Sequence, residues 1–241
     1  MKKRIAYAVL LLSLGGVLFF SCKKEQPAQV YMGYDYFPVK KGHFVIYQCD
    51  SIVFDSSKHT FPRFDTFNYQ VKEVIDSVYN NKYGQPTLRI VRYKRTDTSV
   101  AWNNISAVQK TWTANLLSNM GIRQENNNSY VKLVFPMSLN EMWNGNTLNN
   151  IGEWNYKYSA LHTPYVITNV YFDSTLTVLQ QKDSSLYNYQ YYIEQYATSV
   201  GLIHKVVIDY KDTLSHTLPP STDSATSGII FYSETYLSSG N

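Results

Sequence analysis

Tyr130-Val131-Lys132-Leu133-Val134-Phe135 and Trp154-Asn155-Tyr156-Lys157-Tyr158-Ser159 alternate apolar and polar residues. A period of two belongs to strands, because successive side chains point to opposite faces of a sheet. Val131, Leu133 and Phe135 fall on one face. Trp154, Tyr156 and Tyr158 oppose Asn155, Lys157 and Ser159, and Trp112, Ala114 and Leu116 oppose Thr111, Thr113 and Asn115. One apolar face and one wet face is the antiparallel pattern. Working outward, strands are predicted at His43–Phe54, Phe67–Tyr79, Thr87–Thr96, Val108–Leu117, Tyr130–Phe135, Trp154–Leu161, Tyr165–Lys182, Tyr187–Tyr196, Leu202–Tyr210 and Gly228–Tyr236. Turn chemistry separates them at Asn80-Asn81 with Gly84, at Asn119 with Gly121, and at Asn126 to Asn128. The expectation is an all-β, mainly antiparallel domain: one curved sheet or a half-open or closed barrel of about ten strands, with little helix.

Three segments need separate treatment. Leu186, Tyr189, Ile193, Tyr196 and Val200 also fit helical spacing, but the β preference of tyrosine decides for a strand. In Phe67–Tyr79 the apolar phase slips between Val71 and Val74, which predicts a bulge near Lys72-Glu73. Asn140 to Asn150 has no period and is expected to be a loop or short helix. Phe37-Pro38-Val39 and Phe135-Pro136-Met137 form a short internal echo that would mark two halves.

Composition narrows the class. The chain has 241 residues, 44% hydrophobic and 17% charged, with 11 Gly and 8 Pro. That excludes low-complexity disorder and a collagen-like chain, and provides enough apolar side chain for a core. Tyrosine is the outlier, at 22 residues. The five histidines have no metal-ligand spacing, so neither a metal site nor a cofactor is expected. Ser129 and Lys132 have serine–lysine spacing, but strand residues three apart face opposite ways. No Gly-x-Ser-x-Gly and no Gly-rich phosphate loop occurs. Arg89, Arg92, Lys94 and Arg95 form a basic strand, read as an edge strand protected by charge or as a contact for anionic headgroups or glycans.

The N-terminus carries the strongest motif. Lys2, Lys3 and Arg4 precede the apolar run Ile5–Phe20, an export-signal pattern. Its 16 residues span ~24 Å as a helix, short of a ~30 Å bilayer core. Leu18-Phe19-Phe20-Ser21-Cys22, followed by Lys23-Lys24-Glu25, resembles the relaxed lipobox of Bacteroidota lipoproteins. The resemblance implies cleavage before Cys22 and acylation of that residue. Residues 1–21 are then the signal, 22–35 a lipidated tether and 36–241 the globular domain. The signal holds three of the 22 cations and none of the 18 anions, leaving 19 against 18, a balance of +1. Nucleic acid is therefore not an expected partner. The expected partners are a membrane, through the anchor, and an envelope protein or glycan. The expected location is the outer membrane, on its periplasmic face, with the cell surface as the alternative.

Tyr36-Phe37-Pro38-Val39-Lys40-Lys41-Gly42-His43-Phe44-Val45-Ile46-Tyr47 resembles the domain start of a group of uncharacterised Bacteroidota envelope lipoproteins. Glu194-Gln195-Tyr196-Ala197 with Val200-Gly201-Leu202-Ile203 is similar to their second recurring stretch. The resemblance implies an envelope location and no particular activity. By analogy the fold is similar to the half-barrel lipoprotein carriers of acyl chains.

Nine of the 11 aspartates are followed by Ser or Thr. Such pairs suit turns. Five also resemble the O-glycosylation motif of exported Bacteroidota proteins, which makes Ser51, Ser77, Ser174, Thr213 and Ser224 candidate acceptors. Three functions stay open: a non-catalytic binder of a partner protein or glycan; a carrier of acyl chains or another hydrophobic ligand, lined by Trp112, Leu116, Leu133 and Phe135; and a glycan or peptide hydrolase. No catalytic residue is assigned. Cys49 reads as a small buried hydrophobe.

Replacing Cys22 by alanine is expected to abolish acylation and release the protein from membranes. Metabolic labelling with a fatty-acid probe checks this, and unchanged labelling of Cys22→Ala would overturn the lipobox reading.

Overall fold

Short turns between alternating strands make each strand pair with its predecessor, and the chain follows that rule almost throughout. The computed structural model describes residues 30–241 apart from 56, 59–62, 106–108, 186–187 and 213–224. The strands are β1 (Phe44–Phe54), β2 (Phe64–Asn80), β3 (Pro86–Arg95), β4 (Lys110–Leu116), β5 (Met120–Glu125), β6 (Asn128–Val134), β7 (Met142–Asn144), β8 (Asn155–Ile167), β9 (Val170–Ser184), β10 (Asn188–Ala197), β11 (Gly201–Asp212) and β12 (Ala225–Gly240). They form one antiparallel sheet in the order β6-β5-β4-β3-β2-β1-β12-β11-β10-β9-β8-β7. Two six-stranded meanders are thus joined where β1 pairs with β12. Phe37-Pro38 precedes the first meander and Phe135-Pro136 the second, so the echo falls at equivalent places.

The sheet curls until its edge strands nearly meet. Val131 N–H donates to Gly145 O at 2.9 Å, and Trp143 Nε1 donates to Val131 O at 2.8 Å. The Tyr158 hydroxyl lies 2.9 Å from Val134 N and 2.8 Å from Val134 O, bonding both. These contacts cover most of what would be an open edge, a liability in any unclosed sheet.

All ten predicted strands are present, and two are added. β5 was missed because its inward positions are Gly121, Arg123 and Glu125, which invert the apolar signal. β7 is three residues within the stretch expected to be a loop. The bulge in β2 lies at Asp76, between Ile75 and Ser77, rather than at Lys72-Glu73. Glu73 keeps the inward alternation with Val71 and Ile75, so the apparent phase slip was an inward carboxylate. β8 continues past His162 and Pro164 to a turn at Thr168-Asn169. In β6 a register shift against β5 makes Lys132 the extra residue, turning it inward beside Leu133 while Val131 pairs with Ile122 on the outer face.

One end of the barrel is plugged. A single 3-10 turn, Tyr34–Tyr36, sits there with Phe37 and Pro38. The Tyr36 hydroxyl bonds Ser174 Oγ at 2.7 Å, and Tyr34 donates to Ser118 O at 2.7 Å. The two stretches that carry the family resemblance meet at this plug. His43 Nε2 is 3.0 Å from Val200 O, Tyr47 donates to Leu202 O at 2.9 Å, and Pro38 packs against Gly201. Gly201 has φ +87°, and a Cβ there would lie 2.8 Å from Pro38 Cδ. Register shifts along β8–β9 bend that hairpin over the same end. Its Thr168 hydroxyl donates to Tyr236 O at 2.8 Å, and Phe172 meets the Tyr236 ring edge-on.

Gly145 holds the seam between the edges, and a Cβ there would lie 2.3 Å from the ring of Tyr156, itself buried. Gly145→Ala is expected to destabilise the domain by ~1–3 kcal/mol, the usual range for overpacking. Urea unfolding monitored by tryptophan fluorescence measures it.

Candidate functional site

A barrel of eight strands is filled by ordinary side chains, and more strands enclose a wider lumen. Twelve strands therefore call for long side chains at the inward positions, and the longest are charged or aromatic. The interior shows this. Arg92 Nη1 lies 3.4 Å from Glu73 Oε2, and Nη2 bonds Glu234 Oε1. Arg123 Nη2 is 2.9 Å from the other Glu73 oxygen, and its Nε 3.5 Å from Glu125. Lys132 lies 3.3 Å from Glu125 and 2.9 Å from Glu194. Lys205 lies 3.3 Å from Glu194 and 3.8 Å from Glu125. Charges thus alternate along Glu234, Arg92, Glu73, Arg123, Glu125, the two lysines and Glu194. Four cations face four carboxylates, drawn from β2, β3, β5, β6, β10, β11 and β12.

Aromatic rings complete the lattice. The Arg92 guanidinium lies 4.2 Å from the Trp112 ring centroid and that of Arg123 5.3 Å. Tyr196 donates to Glu194 at 2.5 Å and Tyr232 to Glu234 at 2.6 Å. Burial alone would raise the Glu194 carboxyl, but Lys132 and Lys205 outweigh it and hold the group down at about 2. Burial likewise opposes ionisation of Glu234, and Arg92 and Lys205 keep it below its ordinary value. Glu125 is held down by Lys132, Lys205 and Arg123 against the same penalty. The Arg123–Glu73 pair is held by charge more than alignment, because Arg123 Nε and Nη2 make no well-directed hydrogen bond.

The lattice divides the lumen. Toward the plug lies an apolar cavity of about 50 Å³, bounded by Phe37, Val45, Ile75, Leu88 and Leu202. Toward the opposite end lies a recess of about 270 Å³. Its walls carry Tyr69, Trp112 and Tyr232, its floor Arg92, Lys205, Glu125 and Glu234, and its rim Gln109, Lys110 and Asn126. Trp112 is 9% exposed, and its indole N–H has no partner among the described residues.

Trp112, Leu133 and Phe135, expected to line an apolar ligand site, lie in one hydrophobic core, and Leu116 packs on that core. Only Trp112 borders the recess, beneath a guanidinium. The basic strand is not an edge strand: β3 lies between β2 and β4, and Arg92 points inward, 4% exposed. Cys49 is fully buried, which pushes its thiol up to about 12. His204 faces away from the lumen beside inward Lys205, with Nδ1 3.0 Å from Glu234 O.

The candidate acceptors divide. Ser51 is 8% exposed on the inward face with Cys49, which leaves no room for a sugar there. Ser77 is half-buried, and Ser174 is half-buried and bonded to Tyr36. Thr213 and Ser224 lie outside the described residues. Turn chemistry accounts for two of the aspartates. Asp55 accepts from Ser57 N–H at 2.9 Å and Asp97 from Ser99 N–H at 2.8 Å. Asp50 instead accepts from Asn68 across the sheet at 2.6 Å.

Reading the chain for catalytic motifs missed Glu73, Arg123, Glu125, Lys132, Glu194, Lys205 and Glu234. A usable signal was present. Glu194-Gln195-Tyr196 and Glu234-Thr235-Tyr236 each place a carboxylate two residues before a buried tyrosine, hence on the same inward face.

The lattice makes stability depend on pH with a definite sign. Carboxylates depressed in the folded state bind protons more weakly than in the unfolded chain. Their contribution is complete above about 4.5, the ordinary value, and is lost as pH falls toward about 2. The urea midpoint is therefore expected to hold from pH 7 to ~5 and fall steeply below ~4.5. An unchanged midpoint at pH 3 would mean that the interior carboxylates are not held below their ordinary value.

No family model matches the chain, and no curated protein matches it. Among solved structures, a Bacteroides fragilis protein described as exported, with a YmcC-like fold, matches with a TM-score of 0.44 at 10% identity, over 85% of this chain and 98% of its own. A Parabacteroides distasonis protein described as a lipoprotein matches with a TM-score of 0.41 at 10% identity, over the same shares of the two chains.

Proposed function

We propose that this chain is a lipid-anchored, non-catalytic envelope lipoprotein of the outer membrane that binds a glycan at the open end of its barrel. The recess supports this reading. Sugars present apolar C–H faces to aromatic rings and hydroxyls to charged and amide groups. Tyr69, Trp112 and Tyr232 supply the rings, and Lys205, Glu234, Gln109, Lys110 and Asn126 the polar groups. The export signal, the lipobox at Cys22 and the near-neutral mature chain support the envelope location.

The other two readings fare worse. An acyl-chain carrier needs an apolar cavity of several hundred Å³, whereas the apolar cavity here is about 50 Å³ and the wider part of the lumen is occupied by paired charged side chains. A glycan hydrolase needs one carboxyl that stays protonated near neutral pH. Both recess carboxylates, Glu125 and Glu234, are held ionised by neighbouring cations.

Screening the acylated protein in detergent against an array of neutral and acidic oligosaccharides is expected to show binding. Tyr69→Ala and Lys110→Glu should each weaken it ~5- to 30-fold, in line with ~1–2 kcal/mol for a stacked or charged contact. Lys110 is exposed at the rim and outside the ion lattice, so Lys110→Glu should melt like the parent. Equal binding by the parent and both variants would remove the recess as the site.

A further inference from the structure

Both ends of the barrel expose large apolar side chains, Leu148 and Ile151 among them toward the recess, but the exposed tyrosines Tyr79, Tyr83 and Tyr171 gather at one end. Strand directions place the 3-10 plug, the β2–β3 turn, the β8–β9 turn and the loop before β1 at one end, and the recess at the other. The plugged end exposes large apolar side chains. Val166 and Tyr171 face each other across β8–β9, 60% and 62% exposed. Their neighbours Ile167, Val170 and Phe172 pack inward on the core, so the Val166–Tyr171 pair faces away from the barrel. Tyr79 and Tyr83 flank the β2–β3 turn, Val39 lies in the loop before β1, and all three are exposed. Lys40, Lys41 and Lys82 stand exposed among them. Exposed tyrosines interspersed with lysines suit the headgroup layer of a bilayer, where a ring sits at the apolar boundary and an ammonium meets phosphate.

The chain enters at this same end. Tyr31 donates to Asp35, and its ring lies against His162, 5.4 Å between centroids. Tyr31 is nine residues after Cys22, and fully extended that span reaches at most ~32 Å. β12 has 16 residues, which at ~3.3 Å each and a ~40° tilt extend ~40 Å along a barrel axis. A tether that enters at the plugged end is too short to let the recess end lie against the membrane that holds Cys22.

We propose that the plugged end docks on the bilayer that carries the lipid anchor, through Val39, Tyr79, Tyr83, Val166 and Tyr171 with Lys40, Lys41 and Lys82, and that the recess points away from that bilayer. The docking rests on the anchor reading of Cys22 and adds an orientation to it. It explains why exposed tyrosines gather with lysines around the one end that the tether can hold at the surface.

The test uses the acylated full-length protein. With Cys22 acylated and Cys49 buried, an added cysteine is the reactive thiol. Tyr171→Cys, Tyr83→Cys and Leu148→Cys, the last near the recess end, are each labelled with an environment-sensitive fluorophore. The proteins are reconstituted into vesicles of phosphatidylethanolamine and phosphatidylglycerol at 3:1. Flotation of the vesicles reads the anchor in the same samples. The expected result is a blue-shifted emission at positions 171 and 83, quenched by doxyl-labelled lipid, with neither effect at 148. Protein that floats without shift or quenching at 171 and 83 overturns the docking and leaves the anchor standing. A shift without lipid quenching marks a protein neighbour and also overturns it. Failure to float overturns both readings, because the docking is argued from the reach of the anchor.

Discussion

Glu73 stands between two guanidinium groups, one oxygen toward Arg92 and the other toward Arg123, and both cations lie over the ring of Trp112. Two buried arginines so close would repel each other strongly in a low-dielectric interior. The carboxylate between them removes that repulsion, and the ring adds attraction on the side where no carboxylate reaches. The remaining pairs extend the same device until four positive and four negative groups balance. Removing any one partner would leave a buried charge uncompensated, which ordinarily costs ~3–5 kcal/mol. Replacing the whole set by well-packed apolar side chains could be neutral. The lattice is therefore a cooperative unit more than a sum of bridges.

Its existence follows from strand number. Twelve strands curled on themselves enclose more width than valine or leucine can fill, and an unfilled lumen loses packing along its entire lining. Arginine, lysine, glutamate and tyrosine span the gap, but each brings a polar tip that must find a partner in a dry interior. The tyrosine surplus belongs here. Tyr196 and Tyr232 bury a ring and deliver a hydroxyl to a glutamate in the same lattice. Tyr36, Tyr47 and Tyr158 do the same toward Ser174, the Leu202 carbonyl and the Val134 backbone. A charged lumen also decides what the barrel can hold, because an acyl chain placed there would displace ion pairs with nothing to replace them. The ligand-accessible volume is left at the mouth, where the lattice ends and aromatic walls meet polar side chains.

The two ends are built differently. At the plug, Tyr36 and Pro38 fasten the entering chain to β9 and β11, so the tether leaves from a fixed point. At the mouth, rim residues such as Gln109 and Asn126 stand above ionised groups. A single barrel thereby presents exposed tyrosines around its plug and a charged floor beneath its mouth.

The sequence by itself determined the fold class and nearly all of the strands. Alternation and turn residues are local, and they persist whatever lies across the lumen. β10 is an example: its tyrosines also fit helical spacing, yet their β preference was enough to identify it. Tertiary structure decided the interior. Glu73, Arg123 and Lys132 carry no sign of burial in the sequence, because nothing within a strand says that its inward polar positions will meet opposite charges from other strands, as Lys132 meets Glu194, 62 residues on. Arg92 is the sharpest case. On its own strand it belongs to a basic run suited to an edge, and only pairing with β2 and β4 and the approach of Glu234 from β12 turn it into a core residue. Charge burial depends on where the partner lies in space, and closure of the barrel supplies that position.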